Sequence, residues 1–184
     1  IPTEFSMSSS SRPVALVTGA ATGVGRACAI GLARQGHDVV VNYSRSEAEA
    51  KQTAADVEDL GVKSMLVRCD VSVDEDVRAM VHQIGETFGR LDCLINNAAT
   101  TEFIEHSDLE TLTEPMWDRI LGVNLKGPFF VTRAAAALLR EGDGGSVVNV
   151  SSVAGITGSG SSIAYCASKG GLNTLTKSLA RSLA

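Results

Sequence analysis

The stretch that most narrows the fold is PVALVTGAATGVG, residues 13–25. A short apolar run passes directly into three glycines, Gly19, Gly23 and Gly25, and then into a helical pattern over residues 23–35, where Val24, Ala27, Cys28, Ile30, Gly31 and Leu32 are apolar or small. Missing Cβ atoms permit a tight turn and let a pyrophosphate come close to the backbone. Free N–H groups and the positive dipole end at the helix start then favour phosphate. A glycine pattern alone is only a turn. Its place between a first strand and a helix makes Thr18–Gly25, Ala21 included, a candidate dinucleotide loop. No Gly-Lys-Ser/Thr follows, which argues against a P-loop.

The same alternation continues down the chain. HDVVVNY, KSMLVRCD, LDCLIN and SVVNVS read as four further strands, and helical patterns lie at about 46–60, 73–88, 114–140 and from Ser162 onward. The GDGG at 142–145 reads as the turn into the fifth strand. The strands are short and rich in Val, as strands covered on both faces are. Strands alternating with helices predict an α/β fold: a Rossmann-type, doubly wound parallel sheet in three layers with right-handed crossovers. Ligands in such sheets sit beyond the carboxyl ends of the strands, so those ends are where function is sought.

Composition removes several alternatives. With 44% hydrophobic and 20% charged residues, the chain reads as globular, and its net charge of −5 argues against nucleic acid as a main partner. No apolar run is long enough for a bilayer and no signal peptide is visible, so the reading is cytoplasmic with no membrane partner. The four cysteines match no zinc spacing, so no metal is expected and they read as small apolar residues. Residues 1–11 read as a tag remnant with a flexible N-terminus, and 12–184 as the dinucleotide-binding and catalytic domain.

The strand ends carry distinct chemistry. An NAD site usually has an acid after the second strand, about 20 residues beyond the loop, to hold the ribose 2′-OH. Here that place is Tyr43, followed by Ser44 and Arg45; Asp38 lies at the wrong end of the strand and Glu47 is already in the next helix. A hydroxyl and a guanidinium suit a 2′-phosphate. The cofactor favoured is therefore NADP(H), with NAD(H) left open. Asp70 can accept from an adenine amino group or cap the following helix. Asn96 and Asn97 put amides at the sheet's edge, and Ala98 and Ala99 leave room for a flat ring.

The helix near 114–140 contains GVNLKGPFF, which breaks the rules for a helix interior. Pro128 lacks the N–H that would bond the carbonyl of Asn124, so a kink is expected there, with Asn124 able to reach a water or a side chain. Tyr165 and Lys169 are four apart and share a helix face. An ammonium beside the phenol favours phenolate and suits Tyr165 to general acid/base work. Ser152, just past the fifth strand, can hydrogen-bond a carbonyl or alkoxide, and Lys169 can reach ribose hydroxyls. Gly170 and Gly171, costing a helix about 1 kcal/mol each relative to Ala, point to close packing beyond Lys169.

TGAATGVG, NNAA, VNLKG and Ser152 with YCASK together resemble the short-chain dehydrogenase/reductase family, in its shorter single-domain branch, over Arg12 to Ala184. The flavours it resembles are 3-oxoacyl-carrier-protein reductases and glucose dehydrogenases. The resemblance implies a catalytic tetrad of Asn124, Ser152, Tyr165 and Lys169, with Asn124 holding a water that relays protons to Lys169. It implies that Gly19, Thr22, Val24, Asp70, Val71 and Asn97 line the cofactor site, and that the enzyme is a homo-oligomer, a tetramer. The implied reaction is hydride transfer between NADP(H) and a small carbonyl or alcohol; the rival is a nucleotide-binding or regulatory protein without turnover. Ala99 departs from the family's usual NNAG. The family's later strands are not seen before Ala184, so the expectation is part of a longer polypeptide whose fifth strand has a bare outer edge.

Overall fold

The computed structural model describes residues 12–141 and 144–183. The tag reading of residues 1–11, and positions 142 and 143 of the GDGG turn, lie outside the described residues. Five strands, β1 (Val14–Val17), β2 (Asp38–Tyr43), β3 (Ser64–Arg68), β4 (Cys93–Asn96) and β5 (Ser146–Asn149), form one sheet in the order β3-β2-β1-β4-β5. Every pairing is parallel. Strand order reverses on either side of β1, which opens a crevice above its carboxyl end.

The helices are α1 (Gly23–Arg34), α2 (Glu47–Glu58), α3 (Asp74–Phe88), α4 (Glu114–Leu121), α5 (Gly127–Arg140), α6 (Ala154–Thr157) and α7 (Ile163–Leu183). They cover both faces of the sheet. One face packs Leu16, Val40 and Leu94 against Met80, Ile84 and Val131; the other packs Val17, Val39 and Val41 against Ala29, Ala33 and Val57. Every residue of β1 and β2 is buried, which explains their unbroken apolar runs. Along β5, at the edge, exposed and half-buried residues alternate, and Val148 is 48% exposed.

Polar fasteners hold the amino ends of the strands. Asp92 accepts from the Val14 N–H at 2.7 Å and from Arg90, and these contacts keep its carboxyl below the usual range despite the opposing effect of burial. Asp38, 1% exposed, accepts from the Lys63 N–H at 2.8 Å.

The long helix expected over 114–140 is one rod in three parts. A π-helical turn, Gly122–Lys126, joins α4 to α5, and the Gly127 N–H bonds the carbonyl of Gly122, five residues back. Pro128 stands at the first turn of α5, where a missing N–H costs least. The simple proline kink is therefore corrected: the helix widens to a π turn just ahead of Pro128, and Asn124 within that turn is fully buried. The short α6 lies inside what the sequence shows only as a Ser/Gly loop.

Candidate functional site

The turn after β1 is held from two sides. Gly19 and Gly23 take φ of +62° and +56°, a region that side chains disfavour. A Cβ on Gly25 would run into the carbonyl of Gly19 and the amide of Asn97. The Asn97 Nδ2 donates to the carbonyls of Thr18 and Gly19 at 3.0 and 3.1 Å. Thr18 Oγ1 accepts from the N–H groups of Asn97 and Ala98, both at 3.0 Å. From the other flank, Asn42 Oδ1 accepts from the Gly19 N–H at 3.2 Å, while its Nδ2 is shared among the carbonyls of Tyr43, Val67 and Cys69. Thr22 caps α1 without a side-chain hydrogen bond, so the opening N–H groups of the helix are not satisfied by its hydroxyl.

Above the turn lies an open cleft of about 470 Å³. Of the residues expected at a cofactor, Gly19, Ala21, Thr22, Tyr43, Ser44, Arg45, Asp70, Val71, Asn97 and Ala98 line it. Gly23, Val24, Gly25, Tyr165 and Lys169 do not. Gly25 is packed beneath the turn, and Val24 stands on the surface, 59% exposed. Arg45 is exposed, and its guanidinium makes no hydrogen bond or ion pair among the described residues. Asp70 does not cap α3, whose flanking residue is Val73; instead its Oδ1 closes a tight turn, accepting from the N–H and hydroxyl of Ser72 at 2.9 and 2.6 Å. The neighbouring Cys69 thiol is pushed up to about 12 by burial, with Asp76 and Asp70 adding to it, so it is inert.

The remaining four candidates gather around α7. Ser162, fully buried, accepts the Tyr165 N–H at 3.3 Å and so caps the helix start. Lys169 is 3% exposed; its Nζ donates to the carbonyl of Val150 at 2.8 Å and lies 5.8 Å from the centroid of the Tyr165 ring. Burial pushes the Lys169 amine below its ordinary value. Ser152 Oγ accepts from the Ala154 N–H at 3.2 Å, at the entry to α6. Gly155 of α6 lies against the backbone of Lys169 and Gly170, the close packing expected past Lys169.

Asn124 joins the two groups. Its Oδ1 accepts from the Thr100 N–H at 2.8 Å, and its Nδ2 donates to the Thr100 carbonyl at 2.9 Å and to Ser168 Oγ at 3.1 Å. Ser168 Oγ donates to the carbonyl of Tyr165 at 2.7 Å. Thr100 lines the cleft, so a continuous chain of contacts runs from the cleft through Asn124 and Ser168 to α7.

Sequence reasoning missed Asn42, Ser168, Arg119 and Ser72. Asn42 had a signal, an amide placed at the carboxyl end of a Val-rich strand that is buried on both faces. Ser168 was readable only as the residue before Lys169. The fit to a dinucleotide is good: glycines clear the approach to the turn, helix α1 opens toward it, and an unpaired guanidinium stands at the expected ribose end. Among the described residues no group of His, Cys, Asp and Glu is arranged to hold a metal, and no helix is long and apolar enough to cross a membrane.

Comparisons with known proteins bear on the family and the fold. A family model for short chain dehydrogenase matches residues 13–184. A Streptomyces violaceoruber protein named as ketoacyl reductase 2 of the granaticin polyketide synthase is 45% identical, over 93% of this chain and 67% of its own length. A 3-oxoacyl-[acyl-carrier-protein] reductase of Staphylococcus aureus is 39% identical, over 92% of this chain and 68% of its own. The chain thus spans about two thirds of the length of these relatives. Among solved structures, a metagenomic short-chain oxidoreductase in complex with NADP is 34% identical, with a TM-score of 0.86 over 93% of this chain and 75% of that one. An NAD+-bound xylitol dehydrogenase is 31% identical, also with a TM-score of 0.86, over 93% of this chain and 65% of that one.

Proposed function

The chain belongs to the short-chain dehydrogenase/reductase family of oxidoreductases, and on that premise we propose that it interconverts a small carbonyl and its alcohol with NADP(H), using Tyr165 as the proton donor and acceptor. The observation that carries the reading is Lys169, a buried amine tied to the end of β5 beside the Tyr165 ring. Bound in the cleft, the nicotinamide nucleotide supplies or accepts the hydride. The turn after β1 and the start of α1 hold its phosphates, and Arg45 with Ser44 meets a 2′-phosphate. Ser152 positions the substrate oxygen and Tyr165 moves the proton on that oxygen. Lys169, buried and fixed by the Val150 carbonyl, stabilises the phenolate form of Tyr165 and reaches toward ribose hydroxyls. The side-chain amide of Asn124 is occupied by Thr100 and Ser168. A relaying water is therefore assigned to the Asn124 main-chain carbonyl, to which Pro128 offers no N–H.

Ketoacyl reductases among the relatives make 3-oxoacyl thioesters the first substrates to assay, ahead of sugars and polyols. The cytoplasmic setting and the tetramer belong to the same proposal. Tyr165→Phe tests it: turnover is expected to fall at least a thousandfold with NADPH affinity unchanged within about twofold. A variant that turns over near the wild-type rate would remove Tyr165 from its role. A wild-type chain that binds NADPH yet reduces no carbonyl in the panel would favour the regulatory alternative.

A further inference from the structure

We propose that Arg68, at the carboxyl end of β3, is a second guanidinium of the adenosine 2′-phosphate site, so that selection of NADP(H) is set jointly by β3 and by the turn after β2. The inference rests on the NADP(H) reading above and adds a residue to it.

Arg68 pairs in register with Tyr43, which brings the end of β3 beside the segment Tyr43–Ser46. Its Nε donates to the Ser44 carbonyl at 3.3 Å. The two terminal nitrogens of the fork have no partner among the described residues and are left for an anion. Beside the main cleft lies a hollow of about 350 Å³, and Ser44, Arg45 and Asp70 line both. Arg68 and Asp76 line the hollow only. Ser46, which precedes α2 without a side-chain cap, lines the adjoining main cleft next to Ser44 and Arg45.

The surrounding charges explain why one arginine is insufficient. Asp70 and Asp76 both face the hollow, and Glu47 and Glu49 stand in the first turn of α2. Glu47 pairs with Lys51 at 2.7 Å and also feels the charge of Arg68, which adds to the acidic surroundings that Arg68 offsets. Asp70 is turned toward Ser72, and Asp76 accepts the Asp70 N–H at 3.3 Å. With Arg45 alone the hollow would hold one guanidinium against two carboxylates and would repel a dianion. Arg68 balances those carboxylates and offers two more donors, while its Nε holds the Ser44 carbonyl and thereby the loop bearing Arg45.

The experiment compares binding of adenosine 5′-monophosphate with adenosine 2′,5′-bisphosphate by titration calorimetry, in the wild-type chain, Arg68→Gln, Arg68→Lys and Arg45→Gln. The wild type is expected to prefer the bisphosphate by at least tenfold. Arg68→Gln is expected to lose about tenfold in bisphosphate affinity with monophosphate affinity unchanged. Arg68→Lys should recover part of the loss, because a point charge replaces a fork. If Arg68→Gln retains the full preference while Arg45→Gln loses it, the inference fails and the NADP(H) reading stands. Equal loss for both nucleotides would make Arg68 a loop support only and would also overturn it. A wild type without any preference for the bisphosphate would end the NADP(H) reading itself.

Discussion

The two halves of the site are built by different means. At the turn after β1, packing is between main chains: Gly25 sits under the Gly19 carbonyl, and two asparagine amides, from β2 and from the end of β4, bind the turn's backbone. Around α7, side chains from separate segments bind one another: Asn124 of the π turn, Ser168 and Lys169 of α7, and the strand exit at Val150. The first half is a rigid cradle whose shape depends on atoms being absent. The second is a relay whose geometry depends on atoms being present. Substitutions should therefore separate them, with affinity for nucleotide failing in one and turnover in the other.

The largest separation is expected from Gly25→Ala. The added methyl has nowhere to go, because Gly19 backbone and Asn97 close the space. Overpacking of this kind costs about 1–3 kcal/mol, and a chain of this size loses roughly 2–4 °C per kcal/mol. A melting temperature lowered by about 3–10 °C, with nucleotide affinity down by two orders of magnitude or more, is the expected outcome. Wild-type melting and affinity would mean that the turn tolerates expansion and that the cradle picture is wrong.

Ser168→Ala probes the other half more gently. It leaves Asn124 Nδ2 with the Thr100 carbonyl alone and frees the Tyr165 carbonyl from its hydroxyl donor. A lost buried hydrogen bond is worth about 1 kcal/mol. The catalytic rate constant should fall five- to tenfold while nucleotide affinity and KM stay put, because Ser168 is a positioning residue that touches neither ligand. A matching loss of nucleotide affinity would show that the two halves are not separable.

This contrast also accounts for what was legible. The parallel sheet, the helix that opens at Gly23 and the glycine turn follow from local patterns, short Val-rich runs alternating with stretches of helical period, and the residues that enforce them are neighbours in sequence. Gly122, Gly127 and Pro128 announced an irregular helix, but the choice of a π turn over a kink depends on how α7 and Thr100 receive Asn124. Asn42 reaches Gly19 across 23 positions and Asn124 reaches Ser168 across 44, and no periodicity records such pairs. Asp70 was assigned two roles from its place before a helix. The structure withholds the cap, because Val73 flanks α3, and turns one carboxylate oxygen of Asp70 toward Ser72 in a tight turn, while Asp70 keeps its place in the lining of the cleft.

The smallest effect is a slope. Lys169 is buried against a carbonyl, with no carboxylate hydrogen-bonded to its Nζ among the described residues, and burial pushes its amine below the ordinary value of 10.5. Between that depressed value and 10.5 the unfolded chain binds a proton that the folded chain has released, so folding stability rises with pH across the window. Below the depressed value both states carry the proton, and the full cost of burying the charge is constant. In Lys169→Met this term is missing. Thermal melts from neutral pH to 10.5 should show the wild type gaining on Lys169→Met as pH rises, while Gly25→Ala runs parallel to the wild type throughout. Parallel curves for wild type and Lys169→Met would mean that burial does not depress the amine, and the account of Lys169 as the buried member of this half would lose its physical basis.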